Sequence, residues 1–234
     1  MDGKKIARRT LLAGAAFGVG LAGGCDYEQW RALGPGGIPN TPAGWVRVNW
    51  LRLQKSETTD PAPFRPLVGQ LGDGRWLKPI PKRDGPRPNV GAHPVPHRQT
   101  DQPGSLRGRV AVLDHFDARA AREPGLIEYR MSFFEKHSDA ITVVDLARAP
   151  EIIKVTQGEV AHIHPTDGSM HMILSPTDAI TVLEAGWGER HPLAGDYPNM
   201  PLAYIFVYSP RTVEEADVIR QILEAASAYA TGAR

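Results

Sequence analysis

Cysteine is nearly absent from this chain: Cys25 stands alone among 234 residues. An intrachain disulfide framework and a paired-cysteine metal knuckle are therefore excluded. Net charge is nearly absent too, with 27 Lys and Arg against 26 Asp and Glu. Nucleic-acid binding draws on a basic excess, so no nucleic-acid partner is expected. No glycine loop resembles a nucleotide cradle, and no Ser sits in the turn of a serine hydrolase. Proline and glycine, at 21 and 24 residues, are abundant, and the prolines crowd into the first half. That half is expected to wrap around a core rather than build long regular elements. A hydrophobic content of 41% supplies a core of one domain, or one domain with an arm.

The first residues read MDGKKIARRTLLAGAAFGVGLAGGC. A basic start (Lys4, Lys5, Arg8, Arg9) precedes a short Gly/Ala/Leu/Val run. A bilayer span needs about 20 apolar residues, and this run is shorter and glycine-rich. Its parts match an export signal. Arg8-Arg9 before Thr10-Leu11-Leu12 resembles the twin-arginine type. Leu21 to Cys25 resembles a lipoprotein cleavage box with Cys25 as the lipidation site, although Ala22 stands where a larger aliphatic residue is usual. Residues 1–25 are thus read as an export signal and lipobox, or as an uncleaved membrane anchor. Both place the protein in the cell envelope, exported and tethered to a membrane. Asp26 resembles the residue that retains lipoproteins at the inner membrane.

Residues 26–104 are read as a Pro/Gly-rich arm packed on the core, with 26–44 as a loop. Trp45, Val46, Trp50 and Leu53 recur at helical spacing. Residues 105–234 are read as an α+β domain: an antiparallel sheet with packed helices. A helix is expected from Ser105 to Ala121, with Leu106, Val110, Leu113, Phe116 and Ala120 near one face. Strands are expected over Leu126–Phe134, Ala140–Leu146, Ile152–Ile163 (with a break at Gly158), Ser169–Leu174 and Ala203–Tyr208. Ser175-Pro176-Thr177-Asp178 and Thr212-Val213-Glu214-Glu215 are helix-start patterns, and Gly186 and Gly232 are the matching stops.

The densest chemistry lies between Ala161 and Gly195. If Pro165–Gly168 is the whole turn of a hairpin, His164 pairs with Ser169, Ile163 with Met170 and His162 with His171. Residues two apart on a strand, and direct cross-strand partners, share a face. His162, His164 and His171 should therefore project together. Three imidazoles on one face can bind zinc, iron or copper, serve as bases, or hydrogen-bond locally. After the next helix comes Trp187-Gly188-Glu189-Arg190-His191-Pro192. Arg190 offers a fork of donors for a carboxylate, phenolate or enolate, and Trp187 an aromatic wall; the alternative is core packing and a surface ion pair. His93, His97 and Arg98 in the Pro-rich segment are further candidates, for structure or for substrate.

Three blocks, AHIHPTDGSMHMILS, GWGERHPLAG and IFVYSPRTVEEADVIRQILEAASAYATG, resemble the fungal luciferases and the wider luciferase-domain group. LGPGGIPNTPAGW, LKPIPKRDGPRPNVGAHPVPHRQ and MSFFEKHSDAITVV extend the likeness over most of the chain. The resemblance implies an oxidoreductase of the luciferase or monooxygenase kind, oxidising a small hydroxypyrone-like compound with O2. It implies an N-terminal membrane segment, no flavin, nucleotide or haem, and no required metal. It also implies that His162, His164, His171, Trp187, Glu189, Arg190 and His191 occupy motif positions. The expectation is a membrane-tethered oxygenase acting on a small enolisable or phenolic compound. His162, His164, His171, Arg190 and His191 would be its catalytic candidates. Trp187, Glu189, His93, His97 and Arg98 would be its substrate contacts. The rivals are a ligand-binding or envelope lipoprotein without turnover, and a metal-dependent enzyme using the three-histidine face.

Overall fold

The structure, a computed structural model, describes residues 23–69, 74–198 and 200–232. The export-type segment up to residue 22 lies outside the described residues. Residues 23–32 form a helix, α1, where a loop was expected. Every glycine and proline behind that expectation lies after Leu33, so nothing before it interrupts a helix. Gly34, at φ 85°, ends α1 by donating to the Arg31 carbonyl at 3.0 Å.

Helix α2 (Pro42–Arg52) starts where Thr41 accepts from the Gly44 N–H and Pro42 fills the first turn. Its rotation differs from the expectation. Gly44, Val48 and Leu51 face inward, whereas Val46, Trp50 and Leu53 are 61%, 65% and 79% exposed. Gly44 decides this: a Cβ there would lie 2.0 Å from the Pro39 carbonyl oxygen, so only the glycine side can approach the arm. A short 3-10 turn follows at Ala62–Leu67.

Helix α3 (Leu106–Arg122), capped by Ser105, is also rotated from the expected face. Gly108, Val112, Phe116 and Arg119 are buried, while Leu106, Val110 and Leu113 are exposed. Gly108 packs so closely that a Cβ would lie 2.9 Å from the Pro210 carbonyl oxygen. Arg119 pairs with Glu123 at 2.8 Å and Glu224 at 3.5 Å. Close backbone approach and an ion pair outweigh the leucines in setting the helix rotation.

The sheet has six antiparallel strands in the order β1-β2-β3-β4-β6-β5. They are β1 (Ile127–Met131), β2 (Asp139–Val143), β3 (Glu159–Ile163), β4 (Met170–Ile173), β5 (Gly188–Arg190) and β6 (Tyr204–Val207). The α+β expectation therefore holds. The expected strand Ile152–Ile163 does not form whole. Its first part is a short helix, α4 (Glu151–Val155), started after Pro150 and stopped by Gln157 and Gly158, both at positive φ. Two β-branched isoleucines had suggested a strand, but the left-handed pair forces a turn. The edge strand β5 was not foreseen; its three residues are too few to show alternation.

Helix α5 (Pro176–Glu184) starts where Ser175 accepts from the Asp178 N–H. Helix α6 (Val213–Thr231) runs from the Thr212 cap to Gly232 at φ 67°. Ile219, Ile222, Leu223 and Ala226 of α6 share one core with Ala161, Met170, Met172, Ile205 and Val207 of the sheet. Strand alternation sends the residues between these to the opposite face. That second face carries His162, His171 and Phe206, and residues 37–51 and 94–99 supply much of its cover. The cover is tied down by Trp30 Nε1 donating to the Val95 carbonyl at 2.8 Å, Arg98 pairing with Glu135, and Gln99 N–H donating to Asp167 at 2.7 Å.

Candidate active site

The hairpin forms in the expected register. Ile163 opposes Met170, His162 opposes His171, and His164 N–H donates to the Ser169 carbonyl at 2.8 Å. His162, His164 and His171 meet, all nearly inaccessible to solvent. His162 Nε2 is 3.1 Å from His164 Nε2 and 3.4 Å from His171 Nδ1, and His164 Nε2 is 3.1 Å from His171 Nδ1.

The far nitrogen of each ring has its own partner. His162 Nδ1 lies 2.5 Å from Glu159 Oε1. Glu159, 2% exposed, also accepts from Ser132 Oγ at 3.0 Å and from Phe133 N–H at 2.6 Å. His164 Nδ1 lies 2.8 Å from Ser169 Oγ, which donates to Asp167 Oδ2 at 2.6 Å. His171 Nε2 lies 3.3 Å from His97 Nδ1, and His97 Nε2 lies 3.5 Å from Glu189 Oε1. Glu189 accepts from the Tyr208 hydroxyl at 2.9 Å as well.

Burial pushes the pKa of His164, His171 and His191 well below the ordinary range, and neighbouring positive or titratable groups push the same way. His97 is lowered by burial despite the opposing pull of Glu189. These four rings are uncharged at neutral pH. Burial raises the Glu189 pKa, but the interaction with His97 and hydrogen bonds from Tyr208 and Thr58 together outweigh it and leave the carboxylate below its ordinary value.

His97, His171 and His191 border a cavity of about 370 Å³. Phe133, Phe134 and Tyr204 supply aromatic walls, and Arg47 and Lys136 supply cations. Tyr204 stacks on His171 with centroids 4.3 Å apart and planes 6° from parallel. The volume suits a small aromatic or heterocyclic molecule.

Several expected residues lie elsewhere. Arg190 is adjacent to Glu189 on β5, so it faces the other way, opposite Ile205. Its guanidinium donates to the Glu57 carbonyl and lies 3.6 Å from the Glu57 carboxylate, outside the cavity. Trp187 is not a cavity wall: its indole donates to the Pro81 carbonyl at 2.7 Å and packs near Arg83. His93 binds Asp26 at 3.1 Å, and with Arg98 it borders a separate groove of about 550 Å³. Arg98 also donates to the His97 carbonyl at 3.1 Å, so it positions the loop carrying that histidine. The structure adds Glu159, Ser132, Ser169, Asp167, Tyr204 and Arg47. The signal for Glu159 in the sequence was an acid three residues before the His-x-His pair. Strict alternation would have sent it to the wrong face.

An α+β sheet carrying a buried imidazole cluster beside an aromatic cavity defines the class of protein. The chain belongs to the luciferase-domain family. The Luciferase domain itself matches residues 157–226, a span that holds His162, His164, His171, Glu189 and His191. A luciferase of Armillaria mellea is 33% identical over 221 residues, covering 88% of this chain and 80% of the relative. A luciferase of Neonothopanus nambi is 33% identical over 220 residues, with the same coverage. A luciferase of Armillaria gallica is 30% identical over 250 residues, covering 94% and 93%. No solved structure matches the chain.

Proposed function

We propose that this protein is an oxygenase that acts on a small enolisable or phenolic compound in the 370 Å³ cavity, with O2 as co-substrate. The observation that carries the reading is the set of uncharged imidazoles bordering an aromatic cavity in a chain one-third identical to luciferases. An uncharged imidazole is in the form that accepts a proton. His97 takes the enol or phenol proton at Nδ1, the substrate displacing the 3.3 Å hydrogen bond from His171, and Glu189, facing Nε2, stabilises the imidazolium that results. Arg47 at the rim takes the part first expected of Arg190 and holds the substrate anion. The aromatic walls keep water from the electron-rich carbanion that meets O2.

The tether remains part of the proposal. No helix among the described residues is long and apolar enough to cross a membrane. Support comes from α2: Val46, Trp50 and Leu53 form an exposed stripe, and Arg47 and Leu51 of the same helix border the cavity. Anchored through residues 1–25, the chain lays this stripe on the lipid surface and receives its substrate there. Flotation of the full chain with anionic vesicles is the check, and Trp50→Asp with Leu53→Asp should weaken it.

The activity test is oxygen consumption with a panel of polyphenols and hydroxypyrones. At least one compound should drive uptake that His97→Asn lowers by roughly 10²-fold or more. No uptake across the panel by folded protein would replace this reading with that of a ligand-binding envelope protein.

A further inference from the structure

Hydrogen-bond bookkeeping around the histidine triangle reaches further than the reaction. An ionised carboxylate accepts and does not donate. Glu159 Oε1 lies 2.5 Å from His162 Nδ1, so a singly protonated ring turns its N–H there and its Nε2 lone pair toward the triangle. The Ser169 hydroxyl spends its hydrogen on Asp167, so it accepts from His164 Nδ1 and leaves His164 Nε2 bare. Glu189 faces His97 Nε2 and draws that ring's proton there. His97 Nδ1 then accepts from His171 Nε2, and His171 Nδ1 is left bare.

The three bare atoms are the ones that converge, at 3.1, 3.1 and 3.4 Å. Three lone pairs at that spacing repel one another with no proton between them. A metal ion with nitrogen ligands at about 2.0–2.1 Å wants donors about 2.9 Å apart on an octahedral face and about 3.4 Å apart on a tetrahedral one. The observed edges fall within that interval. Each ring is held from behind by a carboxylate, a hydroxyl backed by a carboxylate, or a histidine backed by a carboxylate, which is how metal-binding imidazoles are oriented.

We propose that His162 Nε2, His164 Nε2 and His171 Nδ1 form a three-histidine site for a divalent transition-metal ion. His97 is not a ligand, because its Nδ1 is spent on His171. His191 is not one either: its Nδ1 accepts from the Leu193 N–H at 3.2 Å, although His97, His171 and His191 also cluster closely. Three protein donors leave coordination positions open, and His171 borders the substrate cavity. The imidazole set suits zinc, iron, copper or nickel over magnesium or calcium. This departs from the expectation, drawn from the family resemblance, that no metal is required. It stands apart from the oxygenase reading, because binding is measured without substrate.

The test uses the full chain, stripped with chelator and titrated with cobalt(II). Visible absorption should rise and saturate at one equivalent, zinc should displace the cobalt, and the Tm should increase with either ion. His162→Asn and His171→Asn should each abolish saturation, and Glu159→Gln should weaken affinity by about 10–100-fold. His137→Gln, at an exposed position outside the cluster, should change nothing. Folded wild-type protein that shows no saturable uptake of cobalt or zinc overturns the proposal. So does stoichiometric binding that survives in folded His162→Asn and His171→Asn. Should those variants fail to fold, the wild-type titration decides by itself.

Discussion

Replacing Glu159 with Gln is the sharpest perturbation of the buried network, because it keeps shape and removes charge. The carboxylate receives hydrogen bonds from Phe133 N–H at 2.6 Å, Ser132 Oγ at 3.0 Å and His162 Nδ1 at 2.5 Å. A neutral amide keeps one acceptor oxygen and turns an NH2 toward whichever partner is left. Toward Phe133, a buried N–H loses its acceptor and faces another donor. Toward His162, the imidazole must move its proton from Nδ1 to Nε2, into the histidine triangle. An unsatisfied buried donor costs about 1–3 kcal/mol, and bonds to a charged group are worth about 1.5–3 kcal/mol. The expected loss is about 3 kcal/mol. For a chain of this length each kcal/mol shifts Tm by about 2–4 °C, so the melting temperature should drop by roughly 6–12 °C. Thermal unfolding followed by circular dichroism measures it. A shift below about 1 °C would refute the reasoning, since the network would then not depend on a charged acceptor at this position.

Other outcomes follow from single contacts. Arg190→Ala should cost stability, because the Arg190 guanidinium holds the carbonyl and carboxylate of Glu57, yet the folded variant should keep its oxygen uptake; loss of uptake at full folding would return Arg190 to the site. Gly188→Ala should destabilise strongly, by about 2 kcal/mol or more, since a Cβ there would meet the Phe206 carbonyl oxygen at 2.4 Å between paired strands; a denaturant midpoint equal to wild type would contradict this. Burial raises the Asp26 pKa, but hydrogen bonds from Trp45, His93 and Asn49 outweigh it and bring it down to about 2 from 3.8. Its stabilising contribution is therefore full above about pH 4 and lost as pH falls toward 2. Tryptophan fluorescence should report loosening of α1 from α2 across that window, and Asp26→Asn should be flat there.

The α+β architecture was legible in the sequence because its signals are local. The turn at Pro165–Gly168 closes the hairpin, Ser175 and Thr212 each accept the hydrogen bond expected of a cap, and Gly232 stops the last helix. The meeting of His162, His164 and His171 was legible as well, since alternation and a fixed turn leave one register. What escaped was long-range. The inward faces of α2 and α3 were set by glycines pressed against distant carbonyls, which no helical spacing of apolar residues reveals.

By itself the sequence determined the α+β class, the hairpin register and the family, because each depends on neighbouring residues or on long stretches of similarity. Only the tertiary structure decided how the histidines are wired. A register shift between Ile141 and Thr142 breaks the alternation of β3, so Glu159 reaches the same face as His162 three residues on. Folding of residues 94–99 over the sheet brings His97 against His171, 74 positions away. Strand alternation on β5 puts Glu189 with the histidines and turns Arg190 away from them. The residue types announced that chemistry was present. The packing of two sheet faces, one under helices and one under a proline-rich cover, decided which partner each ring nitrogen faces.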